Sequence, residues 1–283
     1  MFGKKLGLMA TVALSVLALS ACSGADKQAE NDGQAKKELV IGFGVGNYVD
    51  QVTKGIVPIM EKKGYTIVPR VFSQNRQINP AFEEDAIDAS VNQSRAYMQA
   101  YNEKNNLDMV VLTDSPSAPQ SLRSTKHRTV EDIKDGMIIA IPNDPVNAER
   151  AAKLLADLGW ISLKPNTNAL TFSVNDILPG QYQLDIRETD AAQGLRLLDD
   201  VDYAVINGNY IASAGLRIAD GLVVEQSPLE HRVMVTVREK NLNTPWAQDL
   251  KAAFESKEYA DFIRSERLYD GFILPEAWAA PGQ

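Results

Sequence analysis

Ile141-Pro142-Asn143-Asp144-Pro145-Val146-Asn147-Ala148-Glu149-Arg150 is the most informative stretch of this chain. It ends a strand candidate, Met137 to Ile141, and opens a helix candidate, Pro145 to Leu158, with no loop of any length between them. Asp144 has the side chain of an N-cap, and Pro145 suits the first helical position because its missing N–H would have no partner there anyway. Ala151, Leu154, Leu155 and Leu158 then recur at helical spacing and form a stripe for a core. Asn147 and Arg150 stand three apart and share a face of the opening turns. Arginine offers a rigid fork that matches a carboxylate, and free N–H groups at a helix start favour anions. The corner would therefore suit a carboxylate-bearing ligand; the alternative is a surface arginine beside a well-capped helix.

Outward from this unit, strand and helix candidates alternate. Strands are expected at Leu39–Phe43, Thr66–Phe72, Ile87–Val91, Met109–Leu112, Leu184–Ile186, Tyr203–Ile206 and Val233–Val237. Further helices are expected over Asp50–Lys62, Ser94–Lys104, Ala191–Leu198 and Pro245–Phe254. This order predicts an α/β fold with substantial parallel sheet. Asp114 to Gln120, rich in proline and serine, marks a passage between two lobes, and Ser227-Pro228 marks a return. A second strand exit, Ala204-Val205-Ile206-Asn207-Gly208-Asn209-Tyr210, carries two amides and a tyrosine. Ligands bind beyond the carboxyl ends of strands in open α/β sheets, and Asn207 can both donate and accept. An Asn-Gly turn with a packing tyrosine is the alternative.

Composition narrows the function classes. The chain has 283 residues, 45% hydrophobic and 23% charged, with a formal charge of −8. It is long enough for one large domain or two ordinary ones, and the acidic balance argues against a nucleic-acid partner. One cysteine excludes an intrachain disulfide, and two distant histidines, His127 and His231, make a metal centre improbable. Gly42 to Asn47 approaches a dinucleotide fingerprint, but Asn47 holds the third glycine position, so no cofactor is expected. It is read instead as a cleft loop, with Asn47 and Tyr48 as candidate lining residues. Glu83-Glu84-Asp85 reads as a solvated helix end rather than a cation site. No Gly-x-Ser-x-Gly elbow or histidine-centred acid–base constellation occurs, so no catalytic residue is named.

The N-terminus reads as an address. Lys4 and Lys5 precede an apolar run, Leu6 to Leu19, that is short for a membrane span. The run ends in Leu19-Ser20-Ala21-Cys22, which resembles a bacterial lipobox. Residues 1–21 would then be a signal peptide, and Cys22 the lipidated mature N-terminus; ordinary signal cleavage with an incidental cysteine is the alternative. Residues 22–37 read as a polar tether that buries too little apolar surface to fold.

The lipobox, the tether, IPNDPVNAER, DDVDYAVINGNY, the VREK strand exit and the terminal LPEAW together resemble the methionine-binding lipoprotein family, the NlpA/MetQ-type substrate-binding proteins of ABC importers. The resemblance spans about Glu38 to Trp278. It implies a two-lobed, type II periplasmic-binding-protein fold with a ligand cleft between lobes, lobe 1 being residues 38–124 plus 229–283 and lobe 2 residues 125–228. It implies that Arg150 and Asn147 hold an amino-acid carboxylate and that Asn207 meets the ligand's polar backbone group. Tyr97 matches the tyrosine of the family's FFQHxPY segment.

The same segment departs from the family elsewhere. Its paired phenylalanines are Val91 and Asn92 here, its histidine is Ser94 and its proline Ala96. The family's FTDY-like run is Phe72-Ser73-Gln74-Asn75, which loses an aromatic at Asn75. Aromatics bury large areas and make favourable sulfur contacts, so their loss weakens a methionine pocket. The expected ligand is thus an amino acid or short peptide, methionine-like or of altered specificity with extra hydrogen-bonding groups; a shifted alignment, with other residues supplying the aromatics, is the alternative. The expected partners are that solute, an ABC permease, and a membrane reached through the lipid at Cys22, on the periplasmic side or the cell surface. A surface-interaction or adhesion lipoprotein with a reduced transport role is the second hypothesis, and an extracytoplasmic enzyme on a related scaffold the third.

Overall fold

The computed structural model describes residues 36–169 and 171–279. The signal segment and Cys22 lie outside these residues, as does most of the tether. Its last two residues are already attached to the body: Lys36 pairs with Asp88, and the Lys37 ammonium lies 4.0 Å above the Tyr65 ring. No helix among the described residues is long and apolar enough to cross a membrane.

The first part of the chain runs β1 (Glu38–Gly44), α1 (Tyr48–Gln51), a π turn (Val52–Ile56), α2 (Val57–Glu61), β2 (Thr66–Phe72), α3 (Ile78–Glu83), β3 (Ala89–Ser94), α4 (Arg95–Asn105) and β4 (Met109–Asp114). It continues through β5 (Ser121–Arg123), β6 (Ile138–Pro142), α5 (Pro145–Asp157), β7 (Ile161–Leu163), β8 (Ile177–Pro179), β9 (Asp185–Thr189), β10 (Tyr203–Ile206), α6 (Gly208–Ser213) and β11 (Val223–Val224). The last elements are β12 (Val233–Arg238), α7 (Pro245–Phe254) and α8 (Lys257–Ser265).

Two five-stranded mixed sheets result, with orders β2-β1-β3-β12-β4 and β11-β5-β10-β6-β9. In the first, β1 runs parallel to β2 and β3, while β12 returns antiparallel between β3 and β4. In the second, β6 runs parallel to β9 and β10, and β5 lies antiparallel to β10 and β11. The chain enters the second sheet at Ser121, ahead of the boundary at 124 expected from the sequence. β7 and β8 form a separate two-stranded ribbon.

Burial explains the sequence patterns. Tyr203 to Ile206 are all buried, and Ile139 to Pro142 likewise, as central strands covered on both faces must be. Ala151, Leu154 and Leu155 of α5 pack with Ile139, Ile141 and Tyr203, and Leu158 lies partly buried at the margin. The Asp50–Lys62 expectation corresponds to α1, the π turn and α2 in succession. Within the π turn, a Cβ on Gly55 would stand 2.6 Å from the Tyr259 ring, so only glycine lets α8 pack this close.

One helix expectation fails. Ala191 to Leu198 forms a single 3-10 turn, Ala191–Gln193, followed by hydrogen-bonded turns. Gly194 interrupts the segment, and Asp190 caps only the first turn by accepting from Ala192 N–H. The acidic stretch at 83–85 is a helix end, as read: Glu83 accepts from the Tyr101 hydroxyl at 2.7 Å, and Asp85 pairs with Lys240 at 2.7 Å. Among the described residues no group of three or more His, Cys, Asp or Glu stands together as a metal site.

Candidate functional site

The parallel strands of both sheets deliver their carboxyl ends to one cavity of about 460 Å³. From the first sheet, β1 leads to Val45 and Tyr48, β2 to the segment 73–76, and β3 to Asn92, Gln93, Ser94 and Tyr97. From the second, β6 leads to Asn143, Asp144 and Asn147, β9 to the segment 190–193, and β10 to Asn207, Asn209 and Tyr210. Each contribution follows from one rule: a parallel strand must be followed by a turn into a crossover, and polar side chains collect where the backbone leaves the sheet. The walls approach closely at one point, where Asn209 Nδ2 donates to the Val45 carbonyl at 3.4 Å.

The start of α5 is built as its sequence suggests. Asp144 Oδ1 accepts from Asn147 N–H at 3.0 Å, and both Asp144 oxygens accept from Asn147 Nδ2 at 3.0 Å. Asp144→Ala is expected to cost about 1 kcal/mol of stability through loss of the cap, read from urea unfolding midpoints. An unchanged midpoint would show the cap to be dispensable.

Arg150 does not open freely onto the cavity. It is buried, and its Nε and Nη2 donate to Glu225 at 2.8 and 2.5 Å, while Nη1 donates to Asn147 Oδ1 at 2.8 Å. Glu225 also accepts from Ser227 Oγ at 2.6 Å and from Gln120 N–H at 2.9 Å. Burial by itself would raise the Glu225 carboxyl; the hydrogen bonds and charge of Arg150, with Ser227 and Gln120, outweigh it and hold the group below its ordinary value. Gln120 then donates to the Asn207 Oδ1 at 2.7 Å and to the Asn147 carbonyl at 3.1 Å. Arg150 thus anchors a network that fixes both asparagines and ties together the segments, around Gln120 and Glu225, that connect the two sheets.

The remaining expected site residues divide. Asn75, Asn92, Ser94, Tyr97, Asn147 and Asn207 all line the cavity, and so does Tyr48. Ser94 is also the N-cap of α4, accepting from Tyr97 N–H at 3.3 Å. Phe72 does not line it: its ring packs toward Ile78 and Phe82, with the Arg70 guanidinium 5.2 Å above. Asn47 is buried, with neither amide atom partnered, and stands outside the lining.

Tyr48 is pushed up to about 12 by burial, against a hydrogen bond from Ala118 N–H at 3.2 Å. Burial raises Tyr97 and Tyr210 as well, Asp144 adding to the first and Asp190 and Asp144 to the second. The phenols therefore stay neutral donors and acceptors around two carboxylates. Glu225, Gln120, Asp190 and Arg76 were not singled out in the sequence. A strand-exit reading of Val223-Val224-Glu225, like that applied to Asn207, could have flagged Glu225.

Residues 39–277 match the family described as NlpA lipoprotein. A protein described as "Probable D-methionine-binding lipoprotein MetQ" from Pasteurella multocida (strain Pm70) is 31% identical over 249 residues, covering 87% of this chain and 90% of its own. The structure of a nutrient binding protein from Burkholderia cenocepacia bound to methionine superposes with a TM-score of 0.78 at 30% identity, covering 84% of this chain and 99% of that one. An ABC transporter periplasmic substrate-binding protein from Coxiella burnetii superposes with a TM-score of 0.76 at 30% identity, covering 83% and 99%. The matched span takes in both sheets and every strand that feeds the cavity, and so the chain belongs to the NlpA lipoprotein family.

Proposed function

We propose that this protein is an extracytoplasmic, lipid-anchored solute-binding protein that captures an amino acid or short peptide and delivers it to an ABC importer. The observation that carries the reading is the cavity itself, walled on both sides by turns at the carboxyl ends of parallel strands. The similarity to methionine-binding and ABC-transporter substrate-binding proteins supports it.

In this reading there are two lobes, close to the expected 38–124 plus 229–283 and 125–228 but with β5 (Ser121–Arg123) going to the second, and they are joined by segments near Gln120 and Glu225. Asn207 keeps its Nδ2 for the solute because its Oδ1 is already held by Gln120. Asn147, clamped between Asp144 and Arg150, sets the shape of the same corner. Arg150 acts there mainly by positioning Asn147 and Glu225. Closure of the two walls on the solute would create the form that a permease recognises, a hinge motion suited to two lobes joined by short segments. The role is capture and release without chemistry; neither His127 nor His231 lines the cavity.

Native mass spectrometry of the purified protein tests the reading. A small molecule released on unfolding, with the chemistry of an amino acid or peptide, is expected; an empty cavity that takes up no such solute would refute it. Cys22→Ala tests the anchor: it should abolish fatty-acid labelling and release a folded body, because one or more acyl chains at about 0.8 kcal/mol per buried CH2 would hold the protein to the bilayer. Persistent labelling of the variant would refute the assignment of Cys22.

A further inference from the structure

The cavity lining contains three charged side chains among the described residues: Arg76 on one wall, Asp144 and Asp190 on the other. Arg150, the cation that the family resemblance assigns to a carboxylate, has its charge answered by Glu225. Arg76 has no such answer. Its Nε donates to Gln74 Oε1 at 2.7 Å, and no carboxylate among the described residues pairs with its guanidinium. It sits in the short turn Asn75–Gln77 that follows β2, exposed at the cavity wall.

Two amides share that wall. Asn75 lies against the backbone of Gly44, where any Cβ would collide with its Oδ1. Asn92 has a buried Oδ1 with no hydrogen-bond partner. Each amide carries an NH2 group that can donate. Apart from the rings of Tyr48, Tyr97 and Tyr210, the apolar residues of the lining are small, none larger than valine: Val45, Ala118, Val146 and Val233 are representative. A thioether could rest on the tyrosine rings but would leave the amides and the guanidinium unanswered. A carboxylate would accept from all three, and the arginine fork matches it in two parallel hydrogen bonds. The opposite wall, where Asp144 and Asp190 stand with Tyr210 and face Tyr97 across the cavity, suits an ammonium.

Resting on the solute-binding reading, we propose that the solute carries a carboxylate at its side-chain end. It is an acidic amino acid or an acidic dipeptide, and Arg76 is the residue that selects it. The ammonium lies toward Asp144 and Asp190, and the side-chain carboxylate toward Arg76, Asn75 and Asn92.

The test is calorimetry on protein stripped of solute by unfolding and refolding. The probes are L-glutamate, L-glutamine, L-methionine and the dipeptides Ala-Glu and Ala-Gln. An acidic probe should bind at least about tenfold more tightly than its amide counterpart and than methionine. Arg76→Gln, which is exposed and leaves the core untouched, should remove that preference. It should weaken the acid about tenfold or more and change the amide less than about threefold. Methionine binding as tightly as the acids, an acid-to-amide ratio unchanged in Arg76→Gln, or a co-purified solute without an acidic side chain would overturn the inference and leave solute binding standing. No binding of any probe, together with no solute released from the native protein, would overturn the solute-binding reading and the inference with it.

Discussion

Replacing Arg150 by alanine is expected to lower the unfolding free energy by about 3–5 kcal/mol, because it leaves Glu225 buried without its countercharge. The Glu225 side chain is only 8% exposed and receives two hydrogen bonds from the guanidinium. The loss should depend on pH in a defined sense. Glu225 is held below its ordinary value in the folded protein, so its pairing stabilises the fold above the unfolded carboxyl's value of about 4.3. That contribution fades as the pH falls from there through the depressed folded value. The deficit of Arg150→Ala should therefore be largest near neutrality and shrink in acid, as read by urea unfolding at several pH values. A deficit of equal size throughout would assign the effect to lost packing rather than to the ion pair. The double substitution Arg150→Met with Glu225→Leu removes both charges and should recover most of the stability. Solute affinity should remain impaired in the double variant, since Asn147 and Gln120 lose the partners that fix them.

Gly208→Ala is the second change with a large expected effect. A Cβ at Gly208 would drive into the carbonyl oxygen of Pro119 and stand 2.7 Å from Ile218 Cδ1 and 2.8 Å from the Ala118 Cβ. The carbonyl belongs to the backbone between the two sheets and cannot rotate away as a side chain would. Overpacking of this kind costs about 1–3 kcal/mol. It should also shift Asn207, one residue away, off the Gln120 amide that holds it at 2.7 Å. Thermal unfolding and solute titration should both register the change. Wild-type stability in this variant would mean that the segment at 118–120 yields easily, which would weaken the case for a fixed Asn207.

The outcome at Arg150 shows where local reading stops. The sequence places its guanidinium at a helix start and on the same face as Asn147, and the 2.8 Å contact between them agrees with that spacing. Its main partner is 75 residues further along, and no periodicity or cap signals a pairing at such separation. The helix expected over Ala191–Leu198 failed for a related reason. Gly194 follows the single turn that Asp190 caps, and it lies against Ile206 of β10, where a Cβ would stand 3.2 Å from the side chain. The strands of the β7–β8 ribbon and the three-residue β5 escaped notice because so short a run carries almost no period.

By itself the sequence determined the strand–turn–helix unit at Asn143 to Arg150, the capping by Asp144, the core stripe of α5 and the strand exit at Asn207. These rest on contacts within a few residues, where backbone geometry and side-chain spacing leave little choice. Only the tertiary structure decided that Glu225 answers Arg150, that Phe72 turns to the core, and that Arg76 faces the cavity without a countercharge. The reason is physical: long-range pairing is fixed by which sheet edges and crossovers meet when the core closes, and a one-dimensional pattern of apolar and polar residues records the need for burial without recording the partner.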